Sequence, residues 1–280
     1  MDVKIIIDST ADTSPAVREK CTVVPLTVAF GDEEFIDGVT IDHTTFYEKL
    51  ATSDVLPTTS QASPEAFASR FRQVVEAGQQ AVVITVSSEL SGTYQSAVIA
   101  AMDFPGSIFV VDSLSVAIGT GILAQLAVSL AEQGLPAAQI AQRLEREREN
   151  IRLVAILDTL EYLKKGGRIS RTAAIAGQML SIKPVVCLRD GQIQILGKAR
   201  GGKQANAALA DQIRQTGGIH PEMPMLLGYT GLSDATLEKF VQDNADLWQD
   251  RAEPIHRATI GSVIGTHAGP GAYAVAFFQK

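Results

Sequence analysis

The sequence is short of most of the groups that announce a specific chemistry. It has two cysteines, Cys21 and Cys187, among 280 residues. Both lie in apolar runs, and their spacing gives neither a disulfide framework nor a thiolate metal set, so both read as buried reduced thiols. Basic residues are outnumbered: 24 Lys and Arg stand against 31 Asp and Glu, for a net charge of −7. That balance excludes the basic footprint of a nucleic-acid binder, although a local cluster of donors could still hold an anion. No run approaches the roughly 20 apolar residues of a membrane span. The opening MDVKIIIDST lacks the parts of a secretory signal, so the expected location is the cytoplasm. No GxSxG elbow and no zinc spacing occur. GKARGGK (197–203) is no P-loop, because Ala199 stands where a Ser or Thr is needed. Neither a cofactor nor a metal is expected.

What is present is core-forming material, 46% hydrophobic against 20% charged, which suits one large or two ordinary folded domains. VKIIID, AVVITVS and SIFVVDS are continuous apolar runs, as parallel strands buried on both faces require. TVVPLTVAF reads as one strand interrupted or edged by Pro25. Helical patterns lie between them. Ser63-Pro64-Glu65 is a start signal, and Phe67, Phe71, Val74 and Val75 follow on one face. A longer helix is expected from about Ser115 to Gln133, and another from Leu135-Pro136. The order predicts an α/β domain with a parallel sheet. In the second half, IKPVVCLRDGQIQILGKAR reads as a hairpin turned at Asp190-Gly191. MPMLLGYT, PIHRATI and AYAVAFF are further strands, with helices near 203–215 and 234–244. The expectation is a two-domain α/β fold: an N-terminal parallel-sheet domain over 1–150 and a C-terminal mixed-sheet domain over 151–280, the boundary soft by about ten residues.

Ligands of open parallel sheets bind beyond the carboxyl ends of the strands. Asp8-Ser9-Thr10, Ser87–Ser91 and Asp112-Ser113 all fall there. Ser91-Gly92-Thr93 opens an apolar helix, whose unpaired N–H groups suit an anion, although the motif serves equally as a plain cap. PTTSQAS (57–63) and GSVIGTHAGPG (261–271) read as two more hydroxyl-rich loops. His267, flanked by small residues, has little to pack against. KKGGRISR (164–171) is either an exposed turn or a basic loop that meets an anion or an acidic partner. The glycines of GTGILA (119–124) sit inside a helix, where close packing explains them better than a dinucleotide fingerprint.

Several of these stretches occur together in a known family. DSTAD (8–12), PTTSQAS, SSELSGTYQSA (87–97), VVDS (110–113), YLKKGGRIS (162–170), IKPVV (182–186), GKARGGK and IGTHAGPGAYAVAF (264–277) follow one another along the whole chain. The sequence resembles the DegV family of bacterial fatty-acid-binding proteins, which includes the fatty-acid-kinase B components. Ala62 departs from the Pro often found there. The resemblance implies a buried acyl chain whose carboxylate is held by Thr59 and Ser91, with Thr93 and His267 at the same head group. It implies that Arg168, Arg171 and Arg200 lie near the pocket mouth, where a kinase partner would dock. A long-chain fatty acid and an ATP-binding kinase subunit are thus the expected partners, and no catalytic residue is expected. For the tail, the helices around Ile118–Leu130 and Ile175–Ile182 are candidates, with plain core packing the default for each. The alternative is an acyl esterase with Ser91 as nucleophile and His267 as base. A weaker one is sugar or triose binding through His267, by fold analogy with the dihydroxyacetone-kinase domain.

Overall fold

A computed structural model describes residues 2–169, 182–251 and 253–280. The first half runs β1 (Val3–Asp8), α1 (Pro15–Arg18), β2 (Cys21–Val24), β3 (Thr27–Phe30), β4 (Glu33–Ile36), α2 (His43–Thr52), β5 (Thr58–Ser60) and α3 (Pro64–Glu76). It continues with β6 (Gln80–Thr85), α4 (Thr93–Ala101), β7 (Ile108–Asp112), α5 (Ile118–Glu132) and α6 (Ala137–Glu147). The second half runs β8 (Ile151–Ile156), α7 (Glu161–Lys165), β9 (Ile182–Arg189), β10 (Gln192–Arg200), α8 (Gly201–Gln215) and β11 (Met225–Tyr229). It ends with α9 (Ala235–Asp243), β12 (Arg257–Thr259), α10 (Ser262–Ala268) and β13 (Tyr273–Phe278).

The expected architecture is present. An all-parallel sheet in the order β2-β1-β6-β7 forms the N-terminal domain. Its strands are the apolar runs, with Ile6, Ile7, Val83 and Ile84 fully buried. The C-terminal domain carries a mixed sheet, β10-β9-β8-β13-β11-β12. Among the described residues its one parallel pair is β11 with β12. The Asp190-Gly191 hairpin forms with φ of +51° and +76°, the left-handed pair that a two-residue turn needs to match strand twist. Ser63 caps α3 by accepting from the Ala66 N–H at 3.2 Å.

Four local readings need correction. TVVPLTVAF is two strands: Pro25 separates β2 in the parallel sheet from β3 in a separate antiparallel sheet, β4-β3-β5. PTTSQAS holds a strand, since Thr58–Ser60 pair with Thr27–Ala29. GSVIGTHAGPG holds a helix, α10, which packs on α2, β3 and β5. Its Gly265 lies on two aromatic rings; a Cβ there would come within 2.5 Å of the Tyr47 hydroxyl. The long helix begins at Ile118 and not at Ser115, because Leu114 and Ala117 take φ of +48° and +53° and break the turn.

α5 is apolar on all sides and is buried accordingly, between the two sheets, against β1 and β6 on one side and β8, β11 and β13 on the other. Its glycines are packing residues. A Cβ at Gly121 would strike the Asp12 carbonyl oxygen, and one at Gly119 the Ser115 hydroxyl.

Candidate functional site

The cavity that matters lies on one face of the six-stranded sheet. Alternate residues of a strand face opposite ways. On β8, β9 and β13 the odd-even alternation puts Val154, Val185, Cys187, Val275 and Phe277 on one face, where they pack with residues of α8 and α9 into a solid core. The other face carries Leu153, Ala155, Val186, Leu188 and Ala274. Register places Ala155 beside Ala274, Ala274 beside Gly228, and Gly228 beside Ala258. Ala155 and Ala274 leave a hollow of about 420 Å³ between the sheet and the loops of the N-terminal domain, and Gly228 also lines it, close beneath Ile118 and Ile260.

The roof is the carboxyl edge of the parallel sheet. Thr10 follows β1, Val86 follows β6, and both line the hollow. Asp8, fully buried, fixes these loops: its carboxylate accepts from the Val86 N–H at 2.7 Å and the Thr10 N–H at 2.9 Å. Burial raises its pKa, against the pull of those hydrogen bonds. The Asp190-Gly191 turn is tied to the same loops, the Ser87 hydroxyl donating to the Gly191 carbonyl at 2.8 Å.

One end of the hollow is polar. Thr59, Ser91, Arg168 and His267 all reach it. Thr59 Oγ1 and His267 Nε2 are 2.9 Å apart although 208 positions separate them in sequence. They meet because α10 lies across β3 and β5. His267 Nδ1 faces Gly166, whose missing side chain makes the room, and is buried without a hydrogen-bond partner among the described residues. Burial, and then the Arg168 charge, lower the His267 pKa to about 4, so the ring is neutral at pH 7. An orphaned ring nitrogen costs less as a lone pair than as an N–H, which favours the proton on Nε2. In that tautomer the Nε2–H donates to Thr59 Oγ1 and leaves the threonine proton free for another acceptor.

Ser91 Oγ lies 2.9 Å from Thr93 Oγ1 and accepts from the Thr93 N–H at 3.2 Å. Thr93 is fully buried and stands outside the cavity wall, so it orients Ser91 from behind. Arg168 spans two loops, donating from Nε to the Leu90 carbonyl at 3.1 Å and from Nη1 to the Gly166 carbonyl at 2.6 Å. Arg200 is exposed and outside the cavity wall. Arg171 lies outside the described residues, as does 175–181 of the second tail candidate. The first tail candidate fails: Ile118, Ile122 and Leu123 belong to the packed core, and the segment just before α5 contributes Val116 and Ala117 to the hollow. The esterase pairing is not assembled, since Ser91 bonds to Thr93 and His267 to Thr59.

The sequence and the fold match known proteins. The family model described as "Uncharacterised protein, DegV family" matches residues 2–280. The chain belongs to the DegV family. A DegV domain-containing protein of Deinococcus radiodurans is 34% identical over 99% of this chain and 98% of its own. Among solved structures, a fatty-acid-binding DegV family protein of Thermus thermophilus superposes with a TM-score of 0.90 at 32% identity, covering 100% of both chains. A stearic-acid-binding protein of Eubacterium ventriosum superposes with a TM-score of 0.86 at 28% identity, over 99% of this chain and 98% of that one.

Sequence reasoning missed three residues in this DegV site. Asp12 accepts from the Gly261 N–H at 2.9 Å, and Asp37 from the Ser262 hydroxyl at 2.5 Å. Together they anchor the start of α10 and hence the helix that carries His267. Burial pushes Asp12 well above the usual carboxylate range and raises Asp37. The third, Gln61, lies across the mouth. Their polarity inside short loops was the available signal, but no local pattern shows which distant backbone a carboxylate will meet.

Proposed function

We propose that this protein binds a long-chain fatty acid in the hollow, with the carboxylate between Thr59 and Ser91, and presents it to a partner kinase that makes the acyl phosphate. The observation that supports this reading is one cavity that Thr59, Ser91, Arg168 and His267 all reach and whose wall is otherwise mostly alkyl. Burying a methylene is worth about 0.8 kcal/mol, so about 15 of them supply on the order of 12 kcal/mol before the costs of association. The hydrocarbon therefore supplies the affinity, and the head group needs only to be oriented. Hydroxyls do this without a buried ion pair and its desolvation penalty. Arg168, a neighbour of both His267 and the Ser87–Ser91 loop, keeps positive potential near the carboxylate.

In this reading the chain supplies no nucleotide site, in keeping with the absent P-loop, and the exposed Arg200 and the basic 164–171 loop meet the kinase. The domain boundary lies near residue 150, between α6 and β8. Native mass spectrometry tests the central step. Protein incubated with oleate or palmitate gains the mass of one acid per chain; protein that gains none overturns the reading. The kinase step is tested separately, by following acyl phosphate formation when the loaded protein meets candidate kinases and ATP.

A further inference from the structure

We propose that Gln61 is a positioning residue for the head-group site: its side chain straps the cavity mouth and fixes the separation of Thr59 and Ser91. The inference rests on the fatty-acid reading above. Gln61 directly follows β5 and is exposed, yet its carboxamide is tied down on α4. Nε2 donates to the Ser96 hydroxyl at 3.1 Å, one turn into α4. The amide lies against the backbone of Gly92. A Cβ there would overlap Gln61 Oε1 and come within 2.9 Å of its Cδ.

The strap adds a polar tie between two pieces that otherwise meet through apolar packing, Ala62 and α3 against α4. Thr59 sits on a three-residue strand whose ladder partner is β3, and its side chain bonds to His267. Ser91 sits before α4 and bonds to Thr93. Among the described hydrogen bonds, Gln61 to Ser96 is the one that runs between segments 57–63 and 87–97. Two hydroxyls grip one carboxylate only while their spacing is held, since a hydrogen bond weakens steeply with misalignment. An uncharged ester head places no such demand. Loss of the strap therefore weakens recognition of the acid and spares the grip on the hydrocarbon. It also explains a glycine at position 92: any side chain there displaces the carboxamide.

The test compares oleate with methyl oleate, by competition binding to the full chain, for the unmodified protein, Gln61→Ala and Gly92→Ala. The expected result is a loss of about tenfold in the acid-over-ester preference for both variants, the cost of one charge-assisted hydrogen bond, with the melting temperature unchanged. Gln61→Met, which keeps the bulk and loses the amide, gives the same loss. Two results overturn the proposal: a preference in Gln61→Ala equal to that of the unmodified chain, or an equal loss of acid and ester. An unmodified chain that takes up neither ligand instead overturns the fatty-acid reading, and the strap with it.

Discussion

The two faces of the six-stranded sheet are built by the same strands and differ chiefly in what covers them. One face carries Val154, Val185, Val275 and Phe277 and is filled by α8 and α9. The other carries Ala155, Ala274 and Gly228 in adjacent register, and a cavity stands over them. Both faces are apolar. The lesson is that the covering elements, and not the polarity of the strands, separate a packed face from a hollow one here. Polarity enters only at the rim, where loops of the parallel sheet meet the end of α10.

That contrast can be broken from either side. Phe277→Ala, on the filled face and fully buried, should cost about 3–5 kcal/mol of stability in urea unfolding, because a large void opens in packed surroundings. The acid affinity of the molecules that remain folded should not change. Ala274→Phe, on the hollow face, should do the reverse. It should lower acid affinity by about 2 kcal/mol or more, the worth of roughly three displaced methylenes, with a smaller change in stability. A variant of either face that moved both quantities together would erase the distinction.

At the rim the effects should be smaller. Thr59→Ala and Ser91→Ala should each weaken retention of the acid by about 1–3 kcal/mol in the same assay, since each removes a hydrogen bond to a charged group. His267 gives a pH signature. Its pKa falls from 6.5 to about 4 on folding, so between those values the unfolded chain binds the extra proton. Its contribution to stability is fully present above pH 6.5 and is lost as pH falls toward 4. Asp8, Asp12 and Asp37, whose pKa values are raised, act in the opposite sense, losing stability as pH rises above the unfolded carboxylate value. The comparison of urea midpoints for the unmodified chain and His267→Gln isolates the histidine: the variant should show a flatter fall between pH 6.5 and 4. Arg200→Ala, exposed and away from the cavity, should leave acid affinity and melting temperature unchanged and reduce only the kinase-dependent step.

Much of this was legible in the sequence, and the reasons for the rest are physical. Continuous apolar runs gave the parallel strands, Asp190-Gly191 gave the hairpin, and Ser63 gave the start of α3, because each signal is local. The strand at Thr58–Ser60 was hidden because three hydroxyl residues owe their extended form to pairing with β3. The α10 helix was hidden because Gly261, Gly265 and Gly269 look like a loop until Tyr47 and Phe46 are seen to demand a small neighbour at Gly265, and Tyr162 one at Gly269. The hollow itself was not visible. Ala155, Ala274 and Gly228 are ordinary strand residues one by one, and only register across three strands makes them a floor. The polar residues Thr59, Ser91 and His267 were singled out in the sequence and meet at one end of it, whereas Thr93 stands behind Ser91 and Arg200 stands apart.

The most direct measurement is a crystal structure of the protein soaked or grown with a long-chain acid. The expected difference density begins between the Thr59 and Ser91 hydroxyls, with one carboxylate oxygen near each, and continues as an unbranched chain over Ala155 and Ala274. Density that leaves this floor empty, or that sets the carboxylate anywhere but between those two hydroxyls, would contradict the account.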